Sequence, residues 1–363
     1  MSQPPRSSAA STQVCVVVLN WNGWRDTCEC LDSIICSFSR DLDVHIVLLD
    51  NGSSDGSAEA IRQYLEARQS PPTTTSLSSP DTTSSTVRRA IPESCRVSLH
   101  FLGDVLVTFI EAQNNLGFCT GNNLGMAVGF SAGADYCLLL NNDAVLSSQA
   151  LVELAGAAQA NPDAGLLTPV IVYADDPATV WHAGGRFTWF LETHRDLYGS
   201  PVSRVTSSTP FPTGRVSGCA MFVTRALYSS VGGFDEAFFI WAEDWDLSIR
   251  ARCAGWSLLV VPAATVLHKV GRTLGIMAPL SYYYGTRNRL LLKRKHLPAA
   301  RRALYFPFFL ATRCPRYLHL LAIGKADTAR CGIEAILDYG RGRTGKWSKH
   351  DEWAQRQARR EVT

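Results

Sequence analysis

Four apolar runs in this chain each stop at a cluster of asparagine, aspartate and glycine. "VCVVVL" (14–19) ends in Asn20-Trp21-Asn22-Gly23, and "VHIVLLD" (44–50) ends in Asp50-Asn51-Gly52. "VLVTFIEAQ" (105–113) runs into Asn114-Asn115-Leu116-Gly117, and "CLLL" (137–140) into Asn141-Asn142-Asp143. Unbroken apolar runs without polar alternation are what strands buried on both faces require. A helical pattern follows each of them. Cys28, Leu31, Ile34, Ile35 and Phe38 recur at helical spacing after the first, and Ala58–Ala67 follows the second. A helix starting near Gly121 follows the third, and "SSQALVELAGAAQANP", with a serine start and a proline stop, follows the fourth. Strand, loop and helix in repetition predict an α/β fold with a mostly parallel central sheet flanked by helices. Ligands of such sheets sit at the carboxyl ends of the strands, so the four polar clusters are the expected binding face. Asparagine and aspartate there can hydrogen-bond a base and a ribose, and glycine lets backbone approach closely.

The familiar phosphate loops are missing: no G-x-G-x-x-G follows a strand, and no G-x-x-x-x-G-K-[ST] occurs. A dinucleotide dehydrogenase and a P-loop enzyme are therefore poor readings. The 11 cysteines are odd in number and irregularly spaced, with no C-x-x-C. They are expected as small buried hydrophobes in a reducing cytoplasm rather than as a metal cluster. Residues 1–13 are Ser/Pro/Ala-rich and lack the apolar core of a signal peptide, so a disordered N-terminus is expected. The Ser/Thr/Pro tract at 69–86 interrupts the pattern and is expected to be a flexible insertion reaching to about residue 95.

The net charge of +3 conceals an imbalance. From Gly285 onward there are 18 Lys/Arg against 6 Asp/Glu, which leaves 17 basic and 26 acidic residues before it. A basic, helical tail on an acidic body suits an anionic membrane surface or a phosphate-bearing substrate. The segment "ALYFPFFLATRCPRYLHLLAIG" is broken by Arg313, Pro315 and Arg316, so it is expected to lie on a membrane rather than cross one.

Two groups of residues suggest chemistry. Asp143, at the fourth strand end, is a candidate ligand for a hard cation, Mg²⁺ or Mn²⁺, which shares its shell with substrate phosphates. One carboxylate is few, and His268, ending "ATVLH", is the candidate second ligand. Lys269 and Arg272 flank Gly271 in a loop suited to phosphate, with Arg287, Asn288 and Arg289 soon after. The second group is "FIWAEDWDLSIRARCAGW" (239–256), where Glu243, Asp244 and Asp246 crowd the start of a helix. A helix dipole favours acids there, while their mutual repulsion raises the cost of ionising all three.

In order along the chain, "VVLNWNGW", "VLLDNGSSDGS", "NNLGFCTGNNLGMA", "LLLNNDA", "GGFDEAFFIWAEDWDLSIRARCAGW" and "VLHKVGRT" resemble the family 2 glycosyltransferases, most closely the bacterial rhamnosyltransferase and galactofuranosyltransferase-like branch. The resemblance implies a GT-A fold over 14–280. It places a nucleotide-sugar half at 14–145 and an acceptor half at 146–280, with a basic helical region, 281–363, beyond them. It implies inverting transfer from a nucleotide-diphosphate sugar, dTDP-rhamnose or another UDP-, dTDP- or GDP-sugar. The acceptor would be a hydroxyl of a glycan or lipid-linked molecule in cell-envelope polysaccharide synthesis, on the cytoplasmic face of the membrane. Leu19, Asn20, Asn22, Asp50, Asn115, Gly117 and Asn142 would line the nucleotide sugar, with Arg272 and Arg287 on its phosphates. Asn141, Asn142 and Asp143 stand in place of the D-x-D motif, with one formal charge fewer, and His268 would complete the metal shell. Asp244 would be the base and Glu243 its support, leaving Asp246 as helix-start charge.

Two other readings compete. A nucleotide-sugar pyrophosphorylase would need a Gly-rich basic loop where "NWNGWRDT" stands. A degenerate nucleotide-sugar-binding homologue would have lost the acids that Asp143 and Asp244 supply. No nucleic-acid-binding module is recognisable.

Overall fold

The computed structural model describes residues 11–39, 41–70, 89–188, 192–270 and 279–361. The strands are β1 (Thr12–Asn20), β2 (Leu42–Asp50), β3 (Arg96–Leu102), β4 (Val105–Glu111), β5 (Tyr136–Asn141), β6 (Ala144–Leu146), β7 (Ala164–Tyr173), β8 (Val180–His182), β9 (Gly185–Thr188), β10 (Glu192–Arg195), β11 (Phe211–Pro212), β12 (Ala220–Thr224) and β13 (Ser257–His268). The helices are α1 (Trp24–Cys36), α2 (Ser57–Arg68), α3 (Gly117–Ser131), α4 (Ala150–Ala160), α5 (Arg225–Val231), α6 (Glu243–Cys253), α7 (Pro279–His296), α8 (Ala299–Ala322), α9 (Ala326–Gly340) and α10 (His350–Glu361).

One large sheet has the order β11-β13-β7-β12-β5-β1-β2-β4-β3, with β6 added to β13 and β8 to β7. β5, β1, β2 and β4 are parallel, and β7 and β13 form a second parallel pair. Antiparallel β12 joins the two groups. The sheet is therefore mostly parallel at its amino-terminal half and mixed beyond it. The four polar strand ends fall on adjacent strands, with Asn20 beside Asp50 and Leu19 beside Asn141 in register.

Both faces are covered, which is why the strand sequences do not alternate. Val14, Val16, Val18, Ile46 and Leu48 join one core with residues of α1, α2 and α4. Cys15, Val17, Val47 and Leu49 join the other, with Cys119, Met126 and Val128 of α3. Gly121, Gly125 and Gly129 recur one helical turn apart on α3, where a Cβ would collide with Leu19, Val17 and Cys15 of β1. The glycines set α3 directly on the strand. Leu19, partly buried at the end of β1, packs beneath α3.

Other boundaries also move. β1 begins at Thr12, inside the segment expected to be disordered to residue 13; residues 1–10 lie outside the described residues. Of the expected insertion, 71–88 lies outside them too, but Ile91 and Cys95 are buried in the core beside Ile110. The insertion ends before residue 95 because these side chains anchor the entry to β3. Eight of the eleven cysteines are buried. The C-terminal region folds as α7 to α10. It is fastened to the sheet domain by Asp246 on α6, which accepts from Lys295 and His296 of α7 at 2.8 and 2.7 Å.

Candidate active site

At the first two strand ends, Asn20 and Asp50 form one buried network. Asn20 Nδ2 donates to Asp50 Oδ1 at 2.7 Å, and Ser53 donates to the same carboxylate from both its hydroxyl and its amide. Asn22 lies in the left-handed region (φ 54°), and its side-chain oxygen accepts from the Ser54 amide at 2.8 Å. These contacts fix the β1 and β2 loops against each other. At the third end, Asn115 Oδ1 accepts from the Gly117 amide and from Asn51 Nδ2. Gly117 has φ +85°, and a Cβ there would overlap the Phe239 ring. Asn142 is buried at the same row of strand ends, and its Nδ2 donates to Thr27 Oγ1 at 3.1 Å and to Asn20 Oδ1 and the Gly23 carbonyl at 3.4 Å, which ties the fourth strand end to the first.

Asp143 and His268 do meet. β6 pairs with β13 so that His268 is opposite Ala144, and Asp143 Oδ1 lies 3.2 Å from His268 Nε2. Both are buried, and Trp181 presents an edge to the imidazole at 4.4 Å. Asn141 is partly exposed beside them. No cluster of three or more His, Cys, Asp or Glu residues able to hold a metal occurs among the described residues. One carboxylate and one imidazole fit a cation whose remaining ligands come from phosphate and water, and imidazole suits Mn²⁺ better than Mg²⁺.

The acidic helix start is more elaborate than its sequence suggests. Asp244 is buried, and its Oδ2 accepts from Arg215 Nη2 at 2.7 Å and from the Gly218 amide at 3.3 Å. Glu243 is buried beside it, with Oε2 lacking a hydrogen-bond partner among the described residues. Burial first, and then the Asp244 charge, push the Glu243 carboxyl up to about 8. The expected competition among three acids thus falls on Glu243. Asp246 is not idle charge. Burial opposes its ionisation, yet His296, Lys295 and Arg250 outweigh that and hold it down at about 2. The acid pair and the Asp143 end are linked through consecutive residues: Gly218 donates to Asp244, and the Cys219 carbonyl accepts from the Asn141 amide at 2.9 Å.

Glu243 and Asp244 emerge from a strained turn. Phe239, Trp241 and Ala242 all have positive φ, between 65° and 75°, without being glycine. Such backbone costs roughly 1–3 kcal/mol per residue and persists only when its surroundings over-determine it. Asn288 does so, donating from Nδ2 to the carbonyls of Phe238, Ile240 and Trp241 at 2.7, 2.6 and 2.9 Å. Arg287 joins it, donating to the carbonyls of Phe238 and Gly345. Arg287 is 1% exposed and lies against Tyr283 and Tyr284, so it is a buried clamp and not the expected phosphate contact. Lys269 likewise pairs with Asp26 and Glu29 of α1, and Arg272 lies outside the described residues.

Asn288, expected as a donor near phosphate, holds the turn instead, and two contributors escaped the sequence reading, Arg215, which holds Asp244, and His350. His350, from the far end of the chain, packs 5.6 Å from the Trp21 ring and 3.5 Å from the Asn115 amide. Burial first, and then Lys346, bring His350 down to about 4, so it is neutral near pH 7.

The family model described as glycosyltransferase like family 2 matches residues 12–280. An N-acetylglucosaminyl-diphospho-decaprenol L-rhamnosyltransferase of Mycobacterium tuberculosis is 26% identical over 259 residues, 66% of this chain and 71% of the relative. A dTDP-rhamnosyl transferase, RfbF, of Shigella flexneri is 21% identical over 201 residues, 53% of this chain and 65% of the relative. Among solved structures, GalNAc-T7 with UDP, GalNAc and Mn²⁺ aligns with 83% of this chain and 56% of its own. The TM-score is 0.52 at 15% identity, a likeness of fold.

Proposed function

The chain belongs to the glycosyltransferase like family 2, and from that premise we propose that it transfers a deoxyhexose with inversion. The donor is a dTDP-sugar of the rhamnose type, and the acceptor is a hydroxyl on a lipid-linked saccharide. The names of the two relatives support this choice of donor and acceptor. The observation that carries the reading is the pairing of two small sites across Gly218–Cys219: Asp143 with His268, and Asp244 with Glu243. The basic C-terminal region serves to keep the enzyme at the anionic membrane face where such an acceptor resides.

In this reading the donor nucleotide lies along the Asn20, Asp50 and Asn115 ends of the sheet. Asp143 and His268, with Asn141 beside them, would hold Mn²⁺ or Mg²⁺. When bound, the cation supplies positive charge for the leaving diphosphate. The acceptor hydroxyl attacks the anomeric carbon while the carbon–oxygen bond to the diphosphate breaks, and the bonding pair leaves with the phosphate oxygen. Asp244 receives the hydroxyl proton. Arg215 and the Gly218 amide occupy Oδ2 and leave Oδ1 for that role. Protonated Glu243 avoids a second negative charge beside the base and offers a hydrogen bond to the acceptor.

Calorimetric titration of dTDP-rhamnose with and without Mn²⁺ tests the donor half. Wild type should bind more tightly with Mn²⁺. Asp143→Ala should lose most of that increment, on the order of tenfold or more, the scale set by removing a ligand-shell group. An undiminished increment would remove Asp143 from the site.

A further inference from the structure

The outward face of α8 carries no polar residue along its length. Leu304, Phe308, Ala311, Pro315, Leu318 and Ala322 follow the i, i+4, i+7, i+11, i+14, i+18 spacing of one helical face, and all six are exposed. Leu304 and Leu318 are 65% and 66% exposed. The opposite face is the packed one. Tyr305 and Phe309 pack with Leu290 and Leu297, and Tyr317 and Leu320 with Ala329. α8 is thus an amphipathic helix with its inner face packed and its outer apolar face left exposed by the described residues. An exposed apolar stripe of this length marks a surface that meets something.

Charge identifies the occupant. α8 contains four arginines, Arg301, Arg302, Arg313 and Arg316, and no acid. Lys325 and Arg330 follow it directly. A second copy of the chain would bring the same stripe and the same arginines against themselves, since a two-fold contact is self-complementary. An anionic bilayer instead offers apolar depth to the stripe and phosphates to the exposed cations Arg301, Arg316, Lys325 and Arg330, whereas Arg302 is bonded to the Arg294 carbonyl and Arg313 lies over the Phe309 ring. At 24 residues the helix has the length of a span, yet no helix among the described residues is long and apolar enough to cross a membrane. A helix with one apolar face lies in the interface.

We propose that α8 docks the protein parallel to an anionic phospholipid surface, with Leu304, Phe308 and Leu318 inserted among the acyl chains. This surface names the element behind the membrane placement given under Proposed function and rests on that reading for its purpose, but binding requires no sugar transfer.

Flotation of the full chain with vesicles tests it. One set is phosphatidylcholine alone; the other mixes phosphatidylcholine and phosphatidylglycerol at about two to one. Donor hydrolysis without lipid is measured on the same samples. Wild type should float with the anionic vesicles and much less with the neutral ones or in high salt. Leu304→Glu with Leu318→Glu should reduce the bound fraction by about tenfold or more, the scale of two leucines no longer leaving water. Its circular dichroism and donor hydrolysis should stay unchanged, because both side chains are already exposed. Three outcomes would overturn the proposal: wild type staying unbound, equal binding by the double variant, or a wild-type dimer that the double variant converts to monomer. None of them alters the donor hydrolysis readout, which reports separately on the transferase reading.

Discussion

At the scale of single residues, the chemistry of the acid-rich helix start lies in how differently three neighbouring carboxyls are held. Asp246 is fully buried but is bonded by Arg250, Lys295 and His296, Asp244 by Arg215, and Glu243 has no ion-pair partner among the described residues. Glu243 therefore carries its proton to about 8, well above its ordinary 4.5. For an acid raised in the folded state, the native form binds the proton more tightly than the unfolded form. Its contribution to stability is present at low pH and is lost as pH climbs from 4.5 through about 8. Wild type should consequently lose several degrees of melting temperature between about pH 5 and pH 9, and Glu243→Gln should lose visibly less. Parallel melting curves of the two proteins across that range would place the proton elsewhere. The sequence showed three acids at a helix start but not this division. The donors that distinguish them come from residues 215, 250, 295 and 296, brought together only by the fold.

At the scale of elements, the decisive piece is the turn that delivers α6. Its left-handed residues are Phe239, Trp241 and Ala242. Glycine or asparagine would have announced such a turn, whereas aromatic residues and alanine do not. The cause sits in α7, where Asn288 serves carbonyls 47 to 50 residues away. Asn288→Ala removes one donor from three carbonyls, leaving Arg287 on that of Phe238 but taking the side-chain bond from those of Ile240 and Trp241, and so releases the strained turn. We expect a loss of about 2–4 kcal/mol in chemical denaturation, with kcat falling far more than donor affinity. A variant of unchanged stability and kcat would show that the turn holds itself. The same distance effect explains Arg287, whose sequence neighbours suggest phosphate while its actual neighbours are carbonyls and tyrosine rings. By contrast, the apolar runs of β1, β2, β4 and β5 are local signals, and they located the parallel half of the sheet well.

At the scale of the whole molecule, the sheet gathers the polar strand ends into one row, and a helical region from the end of the chain closes on them. The row was legible because buried parallel strands and their terminal loops follow from short stretches of sequence. The mixed half, from β7 to β13, was not, since β12 inserts antiparallel between strands that its own sequence does not name. Nor was the return of His350 to Trp21 and Asn115, a contact across most of the chain. The central claim is that Asp244 serves as the base of an inverting sugar transfer in this assembled site. The most direct measurement is turnover of dTDP-rhamnose with Mn²⁺ and a lipid-linked saccharide acceptor, comparing wild type with Asp244→Asn. Wild type should form the glycoside with inverted anomeric configuration. The variant should bind donor normally while transfer falls by about a hundredfold or more, the scale of a lost general base. Near-normal turnover by Asp244→Asn would contradict the account.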